Sequence, residues 1–168
     1  MRERLQDQIR TPSAKELADE VKFIKSAINE IGEERIRHLV DVAIKYRGNA
    51  YTPYSNYNVG ASLLTTDGQI FGGCNSESCG YSPTNHAEGT AIAKAVSEGS
   101  AKKDRKFIKA VAVCAEGDSG PCGECLQRIV EHTDNCLIVN TDPKGKIGSI
   151  TSLKTSLPYN FNPSHLGK

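Results

Sequence analysis

The sequence predicts an α/β fold in which helices flank a sheet of mixed strand pairing, and three features of the chain support this prediction. Two amphipathic helical patterns come first, with an apolar residue at every third or fourth position. Two strand-like runs follow around Asp67-Gly68, a dipeptide that favours a tight hairpin turn. Helical patterns and short apolar runs then alternate along the chain, an order that is typical of an α/β sandwich.

Two helices are predicted before the hairpin. The first runs from Ala14 to Ile31, with Ser13 as its N-cap and Glu16 in the capping-box position. Gly32 ends it, and a second helix extends from about Glu33 to Tyr46. The apolar stripe of the first helix predicts that it docks on the core or on a partner subunit; its members are Leu17, Val21, Ile24, Ile28 and Ile31.

The hairpin lies between two predicted loops. Residues 51–58 are rich in Pro, Ser and Asn, and residues 74–84 contain many small and polar residues, so both segments predict ordered loops. A helix then runs from His86 to about Glu98. Its predicted inward positions are Ala87, Ala91, Ile92, Ala95 and Val96.

Strands and a helix alternate in the last third of the chain. The apolar run from Phe107 to Ala115 has the length of a central strand. A buried helix is predicted to begin near Cys122, and a further strand covers Cys136 to Thr141. Lys144 to Thr151 predicts a weaker strand, and the tail from Ser156 is predicted to be irregular.

Length and composition narrow the functional classes. A chain of 168 residues is of single-domain size, and 21 basic against 20 acidic residues give no global electrostatic attraction to nucleic acid or membranes. The N-terminal decapeptide lacks the apolar core of a secretory signal, which predicts a cytoplasmic protein with reduced thiols. The six cysteines therefore favour metal or redox chemistry over disulfides.

His86, Glu88, Cys122 and Cys125 form the pattern His-x-Glu…Pro-Cys-x-x-Cys. This is the signature of zinc deaminases, in which one His and two Cys hold zinc and leave a coordination position open. Zinc lowers the pKa of its water, so that hydroxide is available at neutral pH. Glu88, two residues from the ligand His86, is then the general acid and base.

Each half of this pattern also has a simpler explanation. His86-Ala87-Glu88 alone is compatible with an ordinary helix start, and Cys122 with Cys125 alone could be a redox pair or half of a structural zinc knuckle. The two halves together, with Pro121 before the first Cys and both motifs opening predicted helices, favour the zinc deaminase signature. The other four cysteines are most simply buried small hydrophobes.

The stretch from Tyr51 to Gln127 resembles the cytidine deaminase family, through "YSNYNVGASLLTTDG", "GCNSES", "HAE" and "PCGEC" in this order. The resemblance implies a three-layer sandwich, with a mixed five-stranded sheet between layers of helices. It also divides the chain into an N-terminal helical extension, residues 1–34, and a catalytic domain, residues 35–168.

The resemblance also implies roles for individual residues. His86, Cys122 and Cys125 would bind one zinc ion per subunit, with Glu88 as the proton shuttle. Asn75 and Glu77 would contact the sugar hydroxyls of the substrate, and Tyr57 and the Ala87 backbone would contact its base. Tyr81 and Phe161 would extend into the active site of a neighbouring subunit in a homodimer or homotetramer. On composition alone, Asn75 and Glu77 could equally be turn residues and Tyr57 a packed loop aromatic.

The chain departs from the family in three places. Gly89 and Leu126 stand where Arg is common, and an extension of about thirty residues precedes the family core. Small homotetrameric members of the family usually have three Cys ligands, which make the zinc site negative, and an Arg at the position of Gly89 offsets that charge. One His with two thiolates makes the site neutral, so no cation is needed at position 89. The His form is typical of the larger, dimeric members of the family, although this chain is of single-domain size.

Four functions are compatible with these residues. The leading hypothesis is hydrolytic deamination of cytidine or deoxycytidine, with zinc-bound hydroxide attacking C4. The substrate could instead be another aminopyrimidine nucleoside, such as a blasticidin-type antibiotic. Nucleic-acid editing would need a basic groove, and the short cluster Lys102 to Lys106 is better explained as a solvated loop. An inactive zinc-binding module would have no need of Glu88.

Overall fold

A computed structural model describes residues 11–117 and 119–166. Its helices and strands are, in chain order, α1 (Ala14–Ile31), α2 (Glu33–Arg47), β1 (Gly60–Thr65), β2 (Ile70–Cys74), α3 (Ala87–Ser97), α4 (Ser100–Lys103), β3 (Ile108–Cys114), α5 (Gly123–Val130), β4 (Leu137–Thr141), β5 (Ile147–Ser152), α6 (Leu153–Ser156) and a final 3₁₀ turn (Pro163–Leu166).

The described strands form one sheet of five strands in the order β2-β1-β3-β4-β5. β1 pairs antiparallel with both β2 and β3, β3 pairs parallel with β4, and β4 pairs antiparallel with β5. The sheet is therefore mixed, as predicted. Since β2 and β3 both run opposite to β1, their carboxyl ends lie at the same edge of the sheet, where Cys74 and Cys114 both flank Gly60.

The two faces of the sheet are covered by different helices. Alternate residues of β3 point to opposite faces: Ala110 and Ala112 belong to the core beneath α2, whereas Val111 and Val113 belong to the core beneath α3 and α5. Both faces of β3 are therefore buried, which explains its nearly continuous apolar sequence. This arrangement of helix, sheet and helix layers confirms the predicted three-layer sandwich.

Helix α1 begins and ends where the sequence predicts. The Ser13 side chain accepts a hydrogen bond from the Glu16 backbone N–H, the Glu16 carboxylate accepts one from the Ser13 backbone N–H, and Gly32 is the C-cap. Only the C-terminal part of its apolar stripe packs on the α2 side of the core, and Leu17 and Val21 are about half exposed. The first ten residues of the predicted extension, 1–34, lie outside the described residues.

The structure differs from the sequence prediction in several details. Of the four cysteines expected to be buried, Cys79 is exposed and Cys74 is only partly buried. Val96 was expected to face inward but lies on the outer side of α3, with 40% of its surface exposed. Part of the basic cluster expected to be a loop forms the short helix α4. The tail predicted to be irregular is preceded by α6 and ends in a 3₁₀ turn, both too short to leave a periodic pattern. None of the helices in the described ranges is long and apolar enough to span a bilayer.

Candidate metal centre and active site

Three candidate metal ligands lie at the starts of two helices. His86 is the N-cap of α3, Cys122 is the N-cap of α5, and Cys125 lies in the first turn of α5. Both N-cap residues have extended backbones, so each marks the point where a loop turns into a helix. The loops that precede them leave the carboxyl ends of β2 and β3, which explains why ligands far apart in sequence meet at one edge of the sheet.

A glycine lets α3 approach the sheet closely at this point. A β-carbon at Gly73 of β2 would lie 2.5 Å from the backbone N of Ala91 and 2.6 Å from the carbonyl O of Ala87. Any larger residue would push the first turns of α3 away from the sheet. Gly73 therefore contributes to the depth at which His86 and Glu88 lie, and Ala87 is fully buried behind them.

The donor atoms of the cluster have the separations that a zinc ion requires. Nδ1 of His86 lies 3.3 Å from Sγ of Cys125 and 3.4 Å from Sγ of Cys122. Usual Zn–N and Zn–S bond lengths at tetrahedral angles place these atoms about 3.6 Å apart. In the described ranges, this is the group of three or more His, Cys, Asp or Glu that could hold a metal ion. One nitrogen and two sulfur donors suit zinc, although other thiophilic metals accept such donors too.

Electrostatics of the site also favour a bound cation. Burial raises the pKa of the Cys125 thiol, and the neighbouring Glu88 carboxylate and Cys122 raise it further. Burial and the neighbouring carboxylate both disfavour a thiolate at Cys125, whereas a metal ion bound to the sulfur strongly stabilises a thiolate. The residues present therefore fit a zinc ion.

Glu88 lies in the first turn of α3, next to the three candidate ligands. Only 5% of its surface is exposed, and its carboxylate contacts Cys125. It also lines a cavity of about 320 Å³ together with His86 and Cys122. The remaining lining residues are Ser55, Tyr57, Val59, Asn75, Glu77, Thr84, Ala87, Val113, Ala115, Ser119 and Gly120. A buried carboxylate thus faces both the metal cluster and a cavity.

Asn75 and Glu77 line the cavity and also fasten the loop that precedes β1. The Asn75 amide donates to the carbonyl O of Tyr57 (2.9 Å) and accepts from the backbone N–H of Val59 (2.8 Å). The Glu77 carboxylate accepts hydrogen bonds from the backbone N–H groups of Tyr54 and Ser55 and from the Ser55 hydroxyl. The Ser55 hydroxyl is the main reason that the pKa of Glu77 lies below its ordinary value.

Seven of the ten predicted site residues line one cavity. An eighth, Cys125, belongs to the metal cluster with His86 and Cys122, and the remaining two, Tyr81 and Phe161, lie elsewhere. Tyr81 is 77% exposed and contacts Tyr54 at a ring separation of 6.4 Å. Phe161 is 57% exposed and stacks on His165. Their contribution to a neighbouring subunit's site stays a prediction.

Two contacts near the site have no counterpart in the sequence pattern. Arg47, at the end of α2, bonds to both loops beside the cavity, and nothing in its sequence context indicates this role. The guanidinium of Arg128 lies beside Gly89, on the side of α3 that faces α5. Leu126, by contrast, is buried in the core, so this departure from the family pattern leaves the cavity wall unchanged.

A three-layer sandwich with a His-Cys-Cys cluster and a buried carboxylate at one sheet edge defines the class of zinc-dependent deaminases. The family model for the "Cytidine and deoxycytidylate deaminase zinc-binding region" matches residues 33–141. The chain therefore belongs to the cytidine and deoxycytidylate deaminase family, which confirms the resemblance drawn from the sequence motifs.

Similar proteins of known name or structure support this assignment. The chain is 45% identical over 134 residues to a cytidine deaminase of Sporosarcina psychrophila, covering 78% of this chain and 94% of that protein. It is 44% identical over 95 residues to a cytidine deaminase of Halalkalibacterium halodurans, covering 55% of this chain and 68% of that protein. A crystal structure of cytidine deaminase from Burkholderia pseudomallei aligns with a TM-score of 0.67 at 38% identity, covering 74% of this chain and 97% of the other.

Proposed function

We propose that this protein is a zinc-dependent cytidine deaminase that converts cytidine or deoxycytidine and water into the uracil nucleoside and ammonia. The single observation that carries the proposal is the buried carboxylate of Glu88 between the His-Cys-Cys cluster and the cavity. The names of the similar proteins support the choice of nucleoside.

In this proposal His86, Cys122 and Cys125 hold one zinc ion per subunit. When bound, zinc lowers the pKa of a water molecule and so supplies the nucleophile that attacks C4. Glu88 would take a proton from the attacking water and pass it to N3 of the pyrimidine. It would then take the proton of the new C4 hydroxyl and pass it to the amino group, which leaves as ammonia while C4 becomes a carbonyl carbon. Its burial supports this role, because a shuttle that is shielded from bulk water keeps the proton between the reacting atoms.

The same proposal gives the cavity wall the task of orienting the nucleoside. The Tyr57 ring and the Ala87 backbone would contact the base, and Asn75 and Glu77 the sugar hydroxyls. After its two bonds to the loop, the Asn75 amide keeps one N–H and one lone pair for a ligand. Tyr81 and Phe161 would come from neighbouring subunits of a homodimer or homotetramer, and their exposure supports this.

Charge pairing argues against nucleic acid as the substrate. Two lysines of the one basic cluster are already paired, Lys103 with Asp67 at 2.9 Å and Lys106 with Asp134 at 3.2 Å. They are therefore poorly placed to neutralise a row of phosphates. A cytoplasmic location completes the proposal, since the free thiols of the cluster suit a reducing compartment.

The test is turnover of cytidine and deoxycytidine by the purified, zinc-loaded protein, followed by the loss of cytidine absorbance. Glu88→Gln should bind zinc like the wild type and lose about 10²–10⁴-fold in kcat. A zinc-loaded wild type that leaves both nucleosides intact would contradict the proposal. Turnover of a blasticidin-type nucleoside under those conditions would support the alternative aminopyrimidine substrate.

A further inference from the structure

The cavity is bounded by two loops that are far apart in sequence. Ser55, Tyr57 and Val59 belong to the loop before β1, and Ala115, Gly120 and Cys122 belong to the connection from β3 to α5. We call these the Tyr57 wall and the Cys122 wall. Cys122, a candidate zinc ligand, lies on the second wall, so the distance between the walls sets how a ligand is held against the metal cluster.

Arg47 bonds to both walls at once. Its Nε donates to the carbonyl O of Asn58 at 3.0 Å, and its Nη2 donates to the carboxylate of Glu116 at 2.8 Å. The Arg47 side chain is 20% exposed and its bond to Asn58 is partly buried, whereas its ion pair with Glu116 lies at the surface, since the Glu116 side chain is 64% exposed. A planar guanidinium presents two donors at a fixed angle, which an ammonium group cannot reproduce.

The Tyr57 hydroxyl makes a third bond between the same walls. It donates to the carbonyl O of Glu116 at 3.1 Å, and the ring itself lines the cavity. A phenylalanine at position 57 would keep the ring and lose this bond. The backbone of Tyr57 is held as well, because the Asn75 amide donates to its carbonyl O.

We propose that Arg47 and the Tyr57 hydroxyl are positioning groups that strap the Tyr57 wall to the Cys122 wall and so set the width of the substrate cavity. This inference rests on the proposed function and adds to it a determinant of nucleoside affinity. In the proposed mechanism neither Arg47 nor the Tyr57 hydroxyl binds the metal or transfers a proton. Their loss therefore weakens binding more than it slows the chemical step.

The expected kinetic signature is a split between KM and kcat. Arg47→Lys and Tyr57→Phe each remove a strap bond while keeping charge or ring, and each should raise the KM for cytidine about two- to tenfold. The value of kcat should fall by a smaller factor, and zinc content should stay at the wild-type level. Tyr54→Phe is the matched control, since the Tyr54 hydroxyl makes no hydrogen bond within the described part of the chain.

A second readout does not depend on turnover. Amide hydrogen exchange near Asn58 and near Glu116 should become faster in both strap variants and stay unchanged in Tyr54→Phe. Unchanged exchange at these two places would overturn the strap, whether or not the wild type deaminates cytidine. With an active wild type, an unchanged KM, or a kcat that falls as much as KM rises, would also overturn it. If the wild type is inactive but exchange is faster in both variants, the proposed function is contradicted and the proposed link between the two walls still stands.

Discussion

The guanidinium group of Arg128 lies beside Gly89, so that a β-carbon at position 89 would be 3.0 Å from Nη1 of Arg128. Gly89 follows Glu88 in the first turn of α3, and Arg128 lies in α5, whose first turn holds Cys125. Arg128 also pairs with Glu124 of the same helix at 2.7 Å. The side chain that fills the space over Gly89 is thus a cation from the neighbouring helix.

We expect Gly89→Arg to impair the protein, although Arg is common at this position in the family. A second guanidinium would compete with Arg128 for one space and add a like charge beside a neutral zinc cluster. The repulsion should lower kcat/KM at least about tenfold, which corresponds to about 1.4 kcal/mol. The measurement is steady-state kinetics with zinc content determined on the same preparation.

Gly89→Ala is the matched control for this substitution. The nearest atoms to its methyl group belong to the flexible side chain of Arg128, which can shift to make room. Alanine also has a higher helix propensity than glycine, so the substitution should not destabilise α3. Near-normal kinetics for Gly89→Ala with impaired Gly89→Arg would support crowding and charge as the cause. Equal activity of Gly89→Arg and wild type would show that Arg128 moves away without cost.

Replacement of Cys125 should abolish tight zinc binding. Cys125→Ser exchanges a thiolate donor for a hydroxyl that does not ionise at neutral pH, and the remaining two donors cannot close the site. We expect substoichiometric zinc after dialysis, measured by atomic absorption. Cys79→Ser is the matched control, because Cys79 is exposed and lies outside the cluster. Full zinc occupancy in Cys125→Ser would contradict the assignment of this ligand.

The Glu77 carboxylate should stabilise the Tyr57 wall in a pH-dependent way. Its pKa is lowered below the ordinary value of 4.5, first by the Ser55 hydroxyl and then by the N–H groups of Tyr54 and Ser55. A carboxylate with a depressed folded-state pKa contributes stability that is present above its unfolded-state pKa and lost as pH falls through the folded-state pKa. The contribution is therefore complete at neutral pH, begins to decline as pH falls to about 4.5, and disappears only below the lower folded-state pKa.

Thermal unfolding of wild type and Glu77→Gln over pH 3 to 7 tests this. The wild type should have the higher Tm at neutral pH, and the two curves should converge as the carboxylate is protonated. Asp134→Asn is a control, since Asp134 is 87% exposed and its ion pair with Lys106 should contribute little at any pH. A Tm difference that is the same at pH 3 and pH 7 would rule out the carboxylate as its source.

The sequence predicted most of the fold because its signals were local. The capping box at Ser13, the Asp67-Gly68 turn and the buried run of β3 each depend on neighbouring residues, and the structure bears out all of them. The metal cluster was also predictable, because its spacing is a chemical requirement. The wall contacts of Arg47 were not, since they depend on how two loops distant in sequence approach each other.

The last prediction concerns α1, the described helix of the predicted N-terminal extension, which we propose is an accessory helix that stabilises the core. Ile28 is half-buried against the core on the α2 side, so Ile28→Ala should lower the free energy of unfolding by about 1–2 kcal/mol. Leu17→Ala, on the same helix but 53% exposed, should change it by less than about 0.5 kcal/mol. Urea denaturation of both variants measures the difference.

Activity separates this stabilising role from one in the site. Helix α1 contributes no residue to the walls of the candidate substrate cavity. Its polar contacts with the sheet are made to β3, where Lys109 pairs with Glu30, and to β5, where Ser152 donates to the Glu20 carboxylate. Folded Ile28→Ala should therefore keep the KM and kcat of the wild type at temperatures well below its Tm. A changed KM in the folded variant would instead connect α1 to the cavity, and a large loss of stability in Leu17→Ala would place a partner on the exposed part of the stripe.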